Sequence, residues 1–206
     1  TSFLEYAVDF TGDGKRDIWS DDPTDALAST AAYLKKFGWK TGQPWGVEVS
    51  IPNGFDYTLV NRAITKRPSD WEKLGVKGVN GLVSNHGLAA VLLPAGADGA
   101  AFLIFDNFSV IEKYNTADAY VIGVGHLSDR LKGAPGIKSG WPTWDRALTF
   151  VERQEMQRRL TARGFDTEGI DGLIGPKTID AVRAFQLSKS LRPDGYASLG
   201  LLKKLR

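Results

Sequence analysis

The chain has 206 residues, 42% hydrophobic and 24% charged, with 26 Lys/Arg against 24 Asp/Glu and no cysteine. Such a composition supports one sizeable core, or one domain plus a small module, and carries no signature of disorder. It also excludes a disulfide framework, a thiolate zinc site and a cysteine nucleophile, and its longest apolar runs, such as residues 88–94, are far too short to cross a bilayer.

The first informative stretch is Asp9-Phe10-Thr11-Gly12-Asp13-Gly14-Lys15-Arg16-Asp17-Ile18-Trp19. Side-chain oxygens at Asp9, Thr11 and Asp13, followed by Gly14, reproduce the first half of an EF-hand calcium loop, where ligands alternate and the sixth position turns sharply. Lys15 stands at the seventh position, which offers a backbone carbonyl. The twelfth position is Ser20 rather than a bidentate Glu, so the closing carboxylate falls to Asp25, in the first turn of the next helix. Residues 1–25 contain seven acids against Lys15 and Arg16, a charge that a dication would relieve. An Asp/Gly-rich turn whose carboxylates cap backbone amides accounts for the same residues, and spacing leaves both readings open.

Asp22-Pro23 reads as the cap and first position of a helix over 24–37, with Ala26, Leu27, Thr30, Ala31 and Leu34 as its apolar stripe and Gly38 as its stop. From Trp45 the period becomes two, with Val47, Val49 and Ile51 on one face until Pro52-Asn53-Gly54. Ser69-Asp70-Trp71-Glu72 reads as a capping box. Runs at 88–93, 101–105 and 109–113 predict an antiparallel meander. Asn115 can cap a helix over 117–131 whose stripe is Val121, Val124 and Leu127, widened by Ile122. Gly123-Val124-Gly125 lies inside that helix, lacks a third glycine and is not a dinucleotide fingerprint. His86 and His126 lack the spacing of a metal site.

Residues 133–142 are rich in breakers and divide the chain near residue 140. Beyond them three helical patterns follow: Met156 and Leu160; Gly175-Pro176 opening a helix with Ile179, Ala181, Val182 and Phe185 inward; and Leu199, Leu202 and Leu205. Residues 148–206 carry a net +4, leaving −2 for the rest, which suits an anionic polymer surface and is too weak for nucleic acid. The expected fold class is α+β, with a small antiparallel β subdomain followed by a compact three-helix module.

Two resemblances emerge from these blocks. Gly164-Phe165, Ile170-Asp171-Gly172-Leu173-Ile174-Gly175-Pro176-Lys177-Thr178, Ala184-Phe185-Gln186 and Pro193-Asp194-Gly195 closely resemble the small peptidoglycan-binding domain at the ends of many bacterial wall enzymes. Residues 1–132 resemble the later part of lytic murein transglycosylases of the B type, glycoside hydrolase family 103. That resemblance rests on Ser2-Phe3-Leu4 and Ala7 through Trp19, on Asp25-Ala26-Leu27-Ala28-Ser29 with Tyr33-Leu34-Lys35 and Gly38-Trp39, and on Phe105-Asp106-Asn107-Phe108, Tyr114-Asn115, Tyr120 and Gly125-His126-Leu127.

The second resemblance implies part of a lysozyme-like domain that cleaves the MurNAc-GlcNAc β-1,4 bond without water, leaving 1,6-anhydromuramic ends. It implies an EF-hand-like Ca²⁺ loop with ligands at Asp9, Thr11, Asp13, the Lys15 carbonyl and Asp25, and sugar-contacting side chains at Tyr114, Asn115 and Tyr120. An Asn cap with two packing tyrosines explains the latter three equally well. The family's catalytic Glu belongs to an upstream motif that this chain does not contain, so no catalytic residue is assigned and the fragment alone is expected to be inactive. The expected organisation is 1–132 as transglycosylase region, 133–147 as linker and 148–206 as peptidoglycan-binding module. The expected partners are peptidoglycan glycan strands, with no nucleic acid and no transmembrane segment, for a monomer in the periplasm of a Gram-negative envelope, where an upstream segment could anchor it to the membrane. A non-catalytic wall-binding protein with a calcium-stabilised scaffold is the alternative.

Overall fold

The fold is that of a computed structural model describing residues 2–206. The chain forms two compact units, one made of residues 1–46 and 104–134, the other of 47–103 and 135–206. Among the described residues no helix is long and apolar enough to cross a membrane.

In the first unit, α1 (Ser2–Tyr6) precedes the acidic turn and α2 (Thr24–Lys36) follows it. The helix starts at Thr24 as the sequence implies, with Asp22 folding back to accept both the Thr24 amide (2.9 Å) and hydroxyl (2.6 Å). Gly38 ends it with φ +91°, a left-handed conformation costly for any residue with a Cβ. Leu27 is exposed, but Ala26, Thr30 and Leu34 of the predicted stripe share a face with Ser29 and Tyr33.

Residues 109–113 are not a strand. They belong to α4 (Asp106–Glu112), where Asn107, Phe108, Val110 and Ile111 are buried at helical spacing. What an apolar count could not see is Asn107, wholly buried, whose Oδ1 accepts the Lys40 amide (2.8 Å) and whose Nδ2 donates to the carbonyls of Lys40 (2.9 Å) and Gln43 (2.6 Å). Those bonds require a side chain aimed across the unit from a helical start. Next, α5 (Asp118–Leu131) buries Val121, Ile122 and Gly125, leaving Val124 and Leu127 exposed against expectation. Its inward face is set by Gly125, where a Cβ would stand only 2.6 Å from the Trp45 indole.

The second unit contains a small antiparallel four-stranded sheet, β1 (Gly46–Ser50), β2 (Lys77–Gly78), β3 (Ala90–Leu92) and β4 (Ala101–Ile104), in the order β2-β1-β4-β3. Val49 pairs with Gly78 and Ser50 with Lys77. Strands β3 and β4 are buried at every position, which is why they read as continuous apolar runs rather than alternations. Between β1 and β2, α3 (Pro68–Lys73) places Trp71 fully inside with its indole N–H on the Ala89 carbonyl (2.7 Å). The predicted capping box is absent here: Pro68 takes the first helical position, so Ser69 already lies inside the helix.

The same unit carries α6 (Phe150–Thr161), α7 (Pro176–Ser188) and α8 (Leu199–Leu205), packed on Met156, Leu160, Val182, Phe185, Leu202 and Leu205. Buried Gln157 donates to Asp171, Leu173 and Thr178 and accepts the Gly172 amide (2.8 Å), binding the 171–178 loop to α6. A capping box does open α6: Thr149 accepts the Glu152 amide while Glu152 accepts the Thr149 amide. Arg146 adds a fork onto both Glu152 oxygens (2.7 and 2.8 Å).

Replacing Asn107 with Ala removes three bonds from a buried site, including the one that accepts the Lys40 amide, so Asn107→Ala is expected to cost about 3 kcal/mol in urea unfolding; an unchanged midpoint would contradict this role. The Arg146 fork, then the Thr149 amide, lower the Glu152 pKa from 4.5 to about 2. A depressed carboxylate stabilises the fold above its unfolded value and loses that contribution as pH falls toward its folded one. Between pH 4.5 and about 2, Glu152→Gln should therefore lose less melting temperature than the unaltered chain.

Candidate functional site

The acidic turn is built around carboxylates that accept backbone amides. Asp9 takes Gly12 (2.6 Å) on one oxygen and Gly14 (2.9 Å) on the other, while both glycines adopt the left-handed conformation. Asp13 accepts the Lys15 amide (2.8 Å), and the Thr11 hydroxyl lies 3.4 Å from Asp9 Oδ1. Asp25, only 4% exposed, reaches back from α2 to accept Phe10 (2.9 Å), Thr11 (3.1 Å) and Asp17 (3.2 Å). Burial opposes its ionisation, but those three amides outweigh it and hold its pKa below the ordinary carboxylate value.

The capping geometry therefore exists, and it also assembles a donor set. One oxygen from each of Asp9, Asp13 and Asp25 lies within 4.8 Å of the others. Calcium sits 2.3–2.6 Å from its oxygens, so ligands on opposite sides of one ion stand roughly 5 Å apart, and these three fit around a single hard cation. Thr11 sits in the same turn, and Lys15 adjoins it through its amide. Neither histidine enters any such group among the described residues.

On the same unit is a cavity of about 660 Å³. Its aromatic wall comprises Phe3, Tyr6, Tyr33, Trp39, Trp45, Tyr114 and Tyr120. Tyr114 and Tyr120 stack with centroids 5.8 Å apart, and Tyr33 meets Tyr114 edge-on at 6.0 Å. The Tyr33 hydroxyl donates to the Lys113 carbonyl (2.9 Å), tying α2 to the end of α4. Trp45 is pinned by its N–H to Asp129 (2.7 Å). Of the three predicted sugar contacts, the structure brings Tyr114 and Tyr120 together on the wall. Asn115 is not on the lining and instead accepts the Ala117 amide (3.0 Å). Sequence reading missed Tyr6, Tyr33, Trp39 and Trp45; the only signal available was Tyr33 four residues beyond Ser29 on one helical face.

Several Glu carboxylates among the described residues are held as anions. Glu48 is the buried Glu, 9% exposed, but it accepts the amides of Lys138 and Ser139 (2.6–3.1 Å). Burial raises its pKa and these amides lower it, with the amides prevailing. Glu152 and Glu155 are held by arginines, and Glu168 pairs with Lys177.

Comparison with known proteins matches residues 1–129 to the transglycosylase SLT domain family and residues 151–205 to a peptidoglycan binding domain family. A structure of SltB3 from Pseudomonas aeruginosa in complex with NAG-anhNAM-pentapeptide is 50% identical with a TM-score of 0.92, covering 100% of this chain and 56% of that one. Soluble lytic transglycosylase SltB1 from the same organism is 32% identical with a TM-score of 0.51, over 65% of this chain and 45% of its own. Membrane-bound lytic murein transglycosylase B of Escherichia coli (strain K12) is 32% identical over 135 residues, 62% of this chain and 34% of that protein. The chain thus spans about half or less of the length of these relatives. With a matching family model over residues 1–129, more than half of its length, the chain belongs to the transglycosylase SLT domain family.

Proposed function

We propose that this chain is the downstream part of a lytic transglycosylase that acts on peptidoglycan in the periplasm, cleaving the MurNAc-GlcNAc bond with formation of a 1,6-anhydro end. The observation that carries the reading is the aromatic cavity of the SLT-matched unit, in a chain half identical to a protein solved with a muropeptide. Flat aromatic faces suit sugar rings, and Tyr114 and Tyr120 present them side by side; Asn115, off the lining with its side-chain carbonyl oxygen taken by the Ala117 amide, would reach a sugar only through its exposed amide nitrogen. Residues 1–132 supply this wall, 133–147 connect, and 148–206 hold the monomeric enzyme on glycan strands.

In this chemistry an acid protonates the glycosidic oxygen as its bond to C1 breaks, and the C6 hydroxyl of the same muramic residue closes on C1 in place of water, giving its proton to the carboxylate the acid has become. The donor must stay protonated near neutral pH, hence shielded and raised in pKa. Glu48, the buried Glu, is shifted the opposite way and saturated by amides, so the proton donor is assigned to the enzyme's upstream part. The chain by itself should release no anhydro-muropeptides from purified sacculi by mass spectrometry, while a version extended upstream should release them. Release by the short chain overturns the assignment; sacculus binding with no release by either favours a purely wall-binding protein.

The acidic turn would hold Ca²⁺ through Asp9, Thr11, Asp13, the Lys15 carbonyl and Asp25, where the ion would neutralise the carboxylates and fix the loop before α2. At a hundred times its dissociation constant Ca²⁺ contributes about 2.7 kcal/mol, a melting shift of about 5–10 °C for a chain this size. Differential scanning calorimetry should show that shift after chelator is replaced by Ca²⁺, and Asp13→Ala, altering an exposed ligand, should abolish it. A chelated chain that melts at the same temperature as the calcium-loaded one would count against the site.

A further inference from the structure

The second unit holds a cavity of its own, of about 480 Å³, which the reading above does not use. Its walls come from the 49–57 segment after β1, the turn between β3 and β4, Ser139, and the 190–193 loop after α7. These walls are bolted together. Asp194 accepts the Ala97 amide (2.8 Å) on one oxygen and Gln186 (2.7 Å) on the other, and Arg183 donates to the Val60 carbonyl (3.0 Å). Gly96, at φ +71°, allows the approach, since a Cβ there would stand 2.8 Å from Asp194 and 2.9 Å from Tyr196. Ser139 is held by the Glu48 carboxylate (2.6 Å).

The lining has a definite chemical character. Among its residues Arg192 is the one charged side chain, with no Asp or Glu. Asn53 and Tyr57 add neutral hydrogen-bonding groups, while Phe55, Leu191 and Pro193 add apolar faces. A neutral glycan is usually gripped by carboxylates that accept its hydroxyls, and this lining offers none. A cationic guanidinium beside apolar faces instead suits a carboxylate on a small apolar residue. Arg192 also donates to the Ala97 carbonyl (3.4 Å) and hydrogen-bonds Tyr57, which orient it, while its pair with Asp98 outside the lining has side chains 58% and 43% exposed and is a surface pair that an entering carboxylate can displace. The volume is that of a short peptide.

We propose that this cavity binds the free carboxylate end of a short peptide with small apolar side chains. The choice of a peptide over other carboxylates rests on the wall-ligand reading given above. The test titrates the 206-residue chain, followed by amide resonances, with N-acetyl-D-Ala-D-Ala, its C-terminal amide, and acetate. The acid should perturb residues 50–55, 97–99 and 190–193 and bind about tenfold tighter than the amide, and Arg192→Gln should remove that advantage. Asp98→Asn, which removes the competing carboxylate while keeping the guanidinium, should tighten binding about threefold, a gain that misfolding cannot mimic. Equal affinity for acid and amide, acetate binding as tightly as the peptide, or no gain in Asp98→Asn overturns the proposal. Co-sedimentation with sacculi separates the two readings. A chain that pellets but ignores the peptide refutes the cavity's role alone, whereas one that binds the peptide but does not pellet refutes wall binding alone.

Discussion

The first unit depends on a few polar bonds that join stretches far apart in sequence. Asn107 closes the 40–43 loop onto the start of α4, the Phe105 amide reaches the Trp45 carbonyl (3.0 Å), and the Trp45 indole reaches Asp129. Each uses a buried or half-buried polar group whose loss would leave its partner unsatisfied, so each penalises every alternative arrangement of the two stretches. The aromatic cavity follows from this, because its wall draws on α2, the 39–45 segment, α4 and α5 together. Gly125 completes the arrangement by letting Trp45 lie flat against α5.

A second regularity concerns the carboxylates. Asp9, Asp25, Glu48 and Asp194 each accept at least two hydrogen bonds, nearly all from backbone amides. A carboxylate in that setting is stabilised as an anion and serves as structural mortar or cation ligand. Acid catalysis asks for the reverse, an apolar pocket that keeps the proton on. These environments hold their carboxylates as anions that fix loops and turns of this chain.

In the three-helix portion an apolar core of modest size is supplemented by polar anchoring. Gln157 and Gln186 each both donate and accept, tying loops at 171–173 and 194–195 to helices α6 and α7. Small helical modules bury too little apolar surface to be rigid on that account alone, and satisfied buried amides restrict their loops instead. The same Asp194 that receives Gln186 also receives Ala97, which joins this portion to the β3–β4 turn.

What the sequence determined by itself was whatever depends on local spacing. The oxygen pattern of Asp9, Thr11 and Asp13, the stop at Gly38, Pro176 opening α7, and the leucines of α8 could all be read because one neighbouring residue dictates each. Motif blocks carried the family for the same reason. Tertiary structure decided what depends on partners distant in the chain. Residues 109–112 look like strand by composition, yet they lie in α4 behind Asn107, whose partners are at 40 and 43; Val124 and Leu127 look inward by period, yet Gly125 is the position that faces the Trp45 indole. Burial is a property of the face a neighbour covers, and a periodic pattern gives the width of an apolar stripe without naming that neighbour.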